Sequence, residues 1–223
     1  MRIKDQIIHF QNNLPEGVRL IAVSKTKPSG DILTAYEAGQ RLFGENKARE
    51  MEEKADTLPD DIQWHFIGHI QTNKVKYIAK KVHLIHSVDS LKVLQEIDRQ
   101  AARNERIIHV LLQFHIAQEE SKFGLDLEEA EAILNSEAYR AMQHIHIAGV
   151  MGMATYTDEE PQIRKEFRTL KRIFDTLKNN YFREDTAFKE ISMGMSGDYP
   201  IAIDEGATLI RVGSLIFGAR HYQ

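Results

Sequence analysis

The sequence has no cysteine among its 223 residues. A disulfide framework, a thiolate nucleophile and a cysteine-bound zinc site are therefore excluded. Proline is scarce, with five residues, and no stretch rich in Pro, Gly or Ser interrupts the chain as a linker would. The sequence thus predicts one domain over residues 1–223, which is long enough to bury a sizeable core.

Long apolar runs and an excess of positive charge are also missing. No run approaches the length that crosses a membrane, and residues 1–17 lack the continuous apolar core of a signal peptide. The net charge of −4 argues against general binding of nucleic acids, which needs a basic protein surface. We therefore expect a cytoplasmic protein that binds neither nucleic acid nor membrane.

Several familiar site patterns are absent. The chain contains no Gly-x-Gly-x-x-Gly, no Walker loop and no Gly-x-Ser-x-Gly elbow. His144 and His146 share one face of a predicted strand, a spacing that can hold metal, but no carboxylate stands beside them in the sequence. We interpret them as satisfied strand histidines, and the acidic runs 50–53 and 126–131 as solvated helix faces.

What the sequence does contain is a regular alternation of short apolar runs with amphipathic segments. Eight such runs with helices between them predict a (β/α)8 barrel of the TIM type, preceded by an extra helix over residues 3–12. A doubly wound open sheet has the same rhythm and stays open as an alternative. The predicted strands cover 19–23, 41–43, 63–67, 82–86, 107–114, 144–150, 190–193 and 208–212, and the helices between them 31–38, 46–55, 73–79, 90–103, 127–134, 161–177 and 199–204.

Lys25 stands just past the end of the first predicted strand. In a parallel barrel, functional groups collect at the carboxyl ends of the strands, so this lysine places a primary amine at the barrel mouth. Partial burial, with Lys27 two residues on, favours the free amine that Schiff-base chemistry needs. A lone lysine at a strand end is more often simply solvated, so the interpretation depends on distant partners.

Two loops near the end of the chain look suited to a phosphate. The segment 192–198 precedes a predicted helix, where the Ser196 hydroxyl and the Gly197 amide present donors to an anion. Gly213 and Ser214 follow the last strand and bring further amides close. Barrels frequently bind phosphate between the loops that follow strands seven and eight.

Arg211 lies inside the last apolar strand. A guanidinium only donates hydrogen bonds, so opposite a pyridine nitrogen it would keep that nitrogen unprotonated and weaken the ring as an electron sink. The alternative is a structural arginine paired with Asp204 or Glu205. Together with Lys25 and the phosphate loops, however, Arg211 suggests pyridoxal 5'-phosphate (PLP) as the cofactor.

Five stretches spread over nearly the whole chain follow one another in the order found in a known family. They are Ala-Val-Ser-Lys-Thr-Lys-Pro (22–28), Phe-Gly-Glu-Asn (43–46), Trp-His-Phe-Ile-Gly-His-Ile-Gln-Thr-Asn-Lys (64–74), Ser-Met-Gly-Met-Ser-Gly-Asp (192–198) and Arg-Val-Gly-Ser-Leu-Ile-Phe-Gly-Ala-Arg (211–220). Together they resemble the pyridoxal-phosphate-binding homeostasis proteins, which are single-domain relatives of the alanine racemase barrel.

The resemblance implies a PLP cofactor held as a Schiff base on Lys25, with Arg211 facing the pyridine nitrogen. It also implies that Lys122 belongs to a secondary PLP site. The phosphate ligands implied are Ser196 and Gly213, with Thr208 or Ser214 as helpers. The further positions that line the cofactor in the family are Asn46, His65, Ser87 and Met151.

The function that the resemblance implies is that of a carrier. Such a protein binds PLP and hands it on, to PLP-dependent apoenzymes as recipients, without robust turnover, and we expect a monomer. A racemase needs a second base, which alanine racemases supply with the help of a C-terminal β domain, and we expect none here because the chain ends at Gln223. A small racemase-type PLP enzyme is the alternative, and an interaction module that has lost its cofactor is a third hypothesis.

Overall fold

The computed structural model of the protein describes residues 2–119 and 123–218. Eight parallel strands close into a barrel in sequence order, with the last strand paired to the first. The closed barrel confirms the predicted (β/α)8 architecture, and the open-sheet alternative is wrong. The strands are β1 (Arg19–Val23), β2 (Leu42–Glu45), β3 (Gln63–Phe66), β4 (Val82–Val88), β5 (Ile108–Phe114), β6 (Ile145–Gly152), β7 (Glu190–Ser192) and β8 (Leu209–Val212).

Helices connect the strands, and one helix precedes the first strand as predicted. No helix in the described part of the chain is both long and apolar enough to span a bilayer. The helices are α1 (Ile3–Asn13), α2 (Ser29–Glu37), α3 (Ala48–Thr57), α4 (Val75–Ile78), α5 (Leu91–Arg103), α6 (Leu127–Asn135), α7 (Glu137–Arg140), α8 (Glu160–Asn180), α9 (Tyr199–Asp204) and α10 (Ser214–Phe217).

Polar side chains cap the amino-terminal ends of several of these helices. The Ser90 side chain accepts a hydrogen bond from the Val93 amide at the start of α5. At α6, Asp126 and Glu129 form a reciprocal capping box in which each carboxylate accepts from the other residue's amide, at 2.8 and 2.9 Å. The acidic run 126–131 therefore includes a helix start as well as a solvated face.

The barrel interior is partly apolar and partly polar. Isoleucine, leucine, alanine and methionine side chains form one cluster there, while four buried polar side chains form a hydrogen-bonded network. Polar groups are costly to bury without hydrogen-bond partners, so this network marks where the interior serves more than packing. Its members are His65, His86, Ser192 and Arg211, which come from β3, β4, β7 and β8.

Candidate cofactor site

A cavity of ≈ 680 Å³ opens at the carboxyl ends of the strands. This volume lies within the range of small-molecule sites, roughly 300–1,000 Å³. The loops that follow β1, β6, β7 and β8 supply most of its walls. The predicted site residues that line it are Lys25, Asn46, Ser196, Gly197, Arg211, Gly213 and Ser214.

Lys25 lies in the turn that follows β1 and is partly buried at the cavity wall. The next residue, Thr26, has φ +64°, an uncommon backbone conformation for a β-branched residue. Lys27 also lines the cavity, but its Nζ donates to the carbonyl of Phe217 at 2.8 Å, at the end of α10. The influence of Lys27 on the Lys25 amine stays a prediction.

The two predicted phosphate loops meet at one wall of the cavity. The Gly213 amide donates to Ser196 Oγ at 3.4 Å. A Cβ at Gly213 would lie 3.1 Å from the Val23 carbonyl oxygen, so glycine lets this loop approach the end of β1. Within the described residues, the amides of Gly197 and Ser214 make no hydrogen bond. This wall therefore offers several donors to an anion.

Arg211 forms part of the cavity floor and is almost fully buried. Its Nη1 donates to Ser192 Oγ at 2.6 Å, and its Nη2 donates to the carbonyl of Gly152 at 3.1 Å. Burial lowers the pKa of Arg211 to about 10, while the nearby Asp198 carboxylate acts in the opposite direction. The guanidinium therefore stays charged at neutral pH, with further N–H donors to spare.

The carboxylates considered as alternative partners of Arg211 are engaged elsewhere. Glu205 accepts from Arg164 at 2.9 Å and from Arg168 at 2.8 Å, and Asp204 lies 3.3 Å from Arg164. These ion pairs tie α8 to α9 on the outside of the barrel. The alternative in which Arg211 is a structural arginine paired with Asp204 or Glu205 is therefore wrong about these partners.

His65 lies in the barrel interior, behind the cavity. Its Nδ1 hydrogen-bonds His86 Nε2 at 2.8 Å, and His86 Nδ1 hydrogen-bonds Ser192 Oγ at 2.9 Å. Burial holds the pKa of both histidines well below the usual range, so both are neutral. His65 is not among the residues that line the cavity, and its contact with the cofactor stays a prediction. Hydrogen bonds through His86 and Ser192 link it to Arg211.

Three other predicted residues are not among those that line the cavity. Ser87 and Met151 are fully buried in β4 and β6, with Met151 in the apolar cluster of the interior, and their contact with the cofactor stays a prediction. Thr208 precedes β8, at the opposite end of the barrel, where its hydroxyl donates to Glu190 and accepts from the Ile191 amide. The expectation that Thr208 helps to hold a phosphate is corrected, because a whole strand separates it from Gly213.

A buried ion cluster beside Lys25 escaped sequence analysis. Lys54 Nζ on α3 donates to the Ser24 carbonyl at 2.9 Å, to Glu45 Oε1 at 2.8 Å and to Glu50 Oε1 at 2.7 Å. Burial raises the pKa of Glu45, although the Lys54 ammonium acts against this. The interpretation of residues 50–53 as merely a solvated face is therefore wrong for Glu50. The sequence pattern that could have indicated this cluster is the position of Lys54 on the apolar face of the amphipathic helix α3.

Of the two histidines interpreted as satisfied, His146 is hydrogen-bonded within the protein, whereas His144 Nδ1 lies 3.9 Å from Asp98 Oδ1, beyond hydrogen-bond distance. His146 Nε2 hydrogen-bonds Asp185 Oδ2 at 2.9 Å, and His146 Nδ1 lies 3.2 Å from His109 Nδ1. No group of three or more His, Cys, Asp or Glu side chains within residues 2–119 and 123–218 is arranged to hold a metal ion. Lys122 lies outside the described residues.

Comparison with known proteins identifies the family. Residues 1–221 match the family described as alanine racemase, N-terminal domain. The chain is 38% identical over 205 residues to the pyridoxal phosphate homeostasis protein of Aquifex aeolicus, covering 92% of this chain and 88% of the relative. It is 40% identical over 214 residues to the protein of that name from Vibrio alginolyticus, covering 93% and 89%.

Solved structures agree with this assignment. PipY of Synechococcus elongatus without PLP superposes with a TM-score of 0.90 at 35% identity, covering 97% of this chain and 100% of that one. PipY with PLP bound gives 0.86 at 34% identity, over the same shares. Alanine racemase of Clostridium difficile, at 15% identity and a TM-score of 0.74, shares the fold over 60% of its own length. The chain belongs to the alanine racemase N-terminal domain family and, within it, to the pyridoxal phosphate homeostasis proteins.

Proposed function

We propose that the protein binds PLP as a Schiff base on Lys25 and takes part in intracellular PLP homeostasis without robust catalytic turnover. The observation that carries this proposal is the convergence of Lys25, the Ser196–Gly213 loops and Arg211 on one cavity. The bound-PLP structure of PipY, a relative at 34% identity, supports the same cofactor here. We further propose that the protein is a monomer that passes PLP to apoenzymes.

The residues of the cavity fit the chemical groups of PLP. The cofactor supplies an aldehyde, which a primary amine captures with loss of water, and Lys25 provides that amine. Ser196 and the amides of Gly197 and Ser214 would hold the phosphate. Asn46 Oδ1 is buried without a hydrogen-bond partner in the described part of the chain, so a ligand hydroxyl there would satisfy it.

Arg211 favours storage of the cofactor over turnover. Its guanidinium remains protonated at neutral pH, since its pKa is about 10. Facing a pyridine nitrogen, a charged guanidinium donates a hydrogen bond and leaves the nitrogen unprotonated. An unprotonated ring withdraws electrons weakly, which disfavours the carbanion chemistry of racemases and transaminases. The homeostasis name of the relatives is consistent with a role of this kind.

Absorption spectroscopy tests the cofactor and its attachment. Purified protein incubated with PLP should develop a visible band, and borohydride should fix the cofactor on Lys25 because reduction makes the bond permanent. Peptide mass mapping locates the modified residue. Lys25→Ala should lose the visible band, while Lys4→Ala, at an exposed lysine on α1, should keep it.

Turnover is tested separately on the PLP-loaded protein. Amino acids incubated in deuterium oxide should retain their α-hydrogen, as read by mass spectrometry or proton NMR. Deuterium incorporation at ordinary enzyme rates would instead support the racemase-type alternative. Absence of the visible band in wild-type protein, even with excess PLP, would overturn the cofactor assignment itself.

A further inference from the structure

Lys54 is a buried cation whose hydrogen-bonding capacity is used completely. An ammonium has three N–H donors, and those of Lys54 go to Ser24, Glu45 and Glu50, all within 2.9 Å. Ser24 Oγ also donates to Glu45 Oε1 at 2.6 Å, which closes the cluster. With every proton engaged and its side chain buried, Lys54 is unsuited to act as a nucleophile. It is instead suited to hold its three acceptors in place.

The acceptors of Lys54 control the backbone on both sides of Lys25. The Ser24 carbonyl precedes Lys25, and Lys54 binds it directly. The Thr26 amide follows Lys25 and donates to Glu50 Oε1, at 2.5 Å. The same oxygen of Glu50 accepts from Lys54, so one cluster on α3 and β2 fixes both neighbours of the lysine.

The backbone that the cluster holds is one that the chain would otherwise avoid. Thr26 has φ +64°, and a β-branched residue adopts this conformation only where the surrounding structure imposes it. The amide of Thr26 points to Glu50 in this conformation. Loss of the Glu50 acceptor would therefore free the turn to relax, and Lys25 would move with it.

We propose that Lys54 and Glu50 are positioning residues for Lys25, which hold its amine in the orientation that captures an aldehyde. This inference rests on the proposed function. In the capture step the Lys25 nitrogen bonds to the aldehyde carbon, and the carbonyl oxygen leaves as water with the two amine hydrogens. The cluster takes no part in these bond changes and sets only where the amine lies.

Variants of Glu50 test the inference, because its side chain is partly exposed and lies at the edge of the cluster. Stopped-flow absorbance with the full chain measures the rate of Schiff-base formation with PLP. Glu50→Ala should slow that rate about tenfold, since small misplacements of a reacting group are costly. Glu50→Gln keeps an acceptor for Thr26 and should recover most of the rate. Glu53→Ala removes an exposed carboxylate from the same helix and should match wild type within about twofold.

The affinity for pyridoxine 5'-phosphate distinguishes a positioning role from a general loss of structure. A general loss of structure would lower this affinity, whereas misplacement of the Lys25 amine alone would not. Pyridoxine 5'-phosphate has the ring and phosphate of PLP but no aldehyde, so its affinity reports the cavity alone. Glu50→Ala should bind it as wild type does. If Glu50→Ala proves unstable, Glu50→Asp keeps the charge but is too short to reach both Thr26 and Lys54, and should show the same slow capture.

The outcomes separate the two proposals. A wild-type protein that forms no Schiff base would overturn the proposed function. A wild-type protein that forms one, with Glu50→Ala or Glu50→Asp equally fast, would overturn the positioning role alone. Equal losses of capture rate and of pyridoxine 5'-phosphate affinity would also overturn it, because the cluster would then support the whole cavity.

Discussion

Ser192 is the residue through which the buried histidines reach the cavity. Its hydroxyl oxygen lies 2.6 Å from Arg211 Nη1 and 2.9 Å from His86 Nδ1. The guanidinium can only donate, so the oxygen accepts from Arg211 in every protonation arrangement of the histidines. One small side chain therefore satisfies two buried polar groups at once, and one of these carries a charge.

Ser192→Ala should lower the free energy of unfolding by about 1–3 kcal/mol, because it removes the hydrogen-bond partner of the buried Arg211 Nη1 and His86 Nδ1. Urea denaturation at neutral pH measures the difference. Thr169→Ala removes an exposed hydroxyl from α8 and should change stability by less than about 0.5 kcal/mol. A Ser192→Ala protein as stable as the Thr169 control would show that Arg211 and His86 find other partners.

Among the strands, β6 depends most on a single glycine. Gly149 has φ +153°, and a Cβ at this position would lie 1.9 Å from the Glu190 carbonyl oxygen of β7. The register between β5 and β6 shifts next to it, between Val110 and Leu111. The glycine allows β6 and β7 to pair closely, and this pairing brings the Gly152 carbonyl within reach of Arg211.

Two glycine-to-alanine substitutions should therefore differ in their effect on stability. Gly149→Ala should destabilise the protein by about 3 kcal/mol or more, because Cβ clashes with the β7 backbone and the φ angle is strained. Gly30→Ala, in α2 with open space around the new Cβ, should leave stability unchanged or raise it by up to about 1 kcal/mol. Thermal or urea unfolding of both variants measures this contrast, and similar values for the two would contradict the assigned role of Gly149.

Over the whole molecule, the histidines of the barrel make stability depend on pH. Burial holds the pKa of His65 and His86 well below the usual range, and it also lowers the pKa of His83 and His109. In the unfolded chain these side chains take up protons near their ordinary pKa of about 6.5. Below that pH the unfolded state therefore binds more protons than the folded state, and stability falls.

The expected pH profile follows from this difference. Stability should be fully present above about pH 7 and should fall towards pH 5.5, by about 1.4 kcal/mol per pH unit for each histidine that stays neutral. Urea titrations across this range measure the slope. His86→Gln removes one of these histidines. It should reduce the slope of the unfolding free energy against pH by about 1.4 kcal/mol per pH unit, whatever its effect on stability at pH 7. An unchanged slope would mean that His86 is protonated in the folded state.

The barrel and the centre of its site could be predicted from local sequence patterns. Apolar runs repeat at the spacing of strands, with amphipathic segments between them, so the number and order of the strands were correct, with ends displaced by a few residues. Helices α7 and α10 were missed because each is a four-residue helix, too short to show a periodicity, whereas α4 continues the helical turn Thr72–Lys74. The carboxyl ends of parallel strands all lie at one end of a closed barrel, so Lys25, Ser196 and Gly213, which follow such ends, lie near one another.

The sequence by itself therefore determined the alternation of strands and helices and the residues at the strand ends. Only the tertiary structure decided which strand residues reach the cavity and which remain behind it. Position along the barrel axis decides this: Thr208 precedes β8, at the end opposite the site, and His65 lies in the interior against His86. The Lys54 cluster joins groups up to 30 residues apart, and no local pattern encodes such a contact.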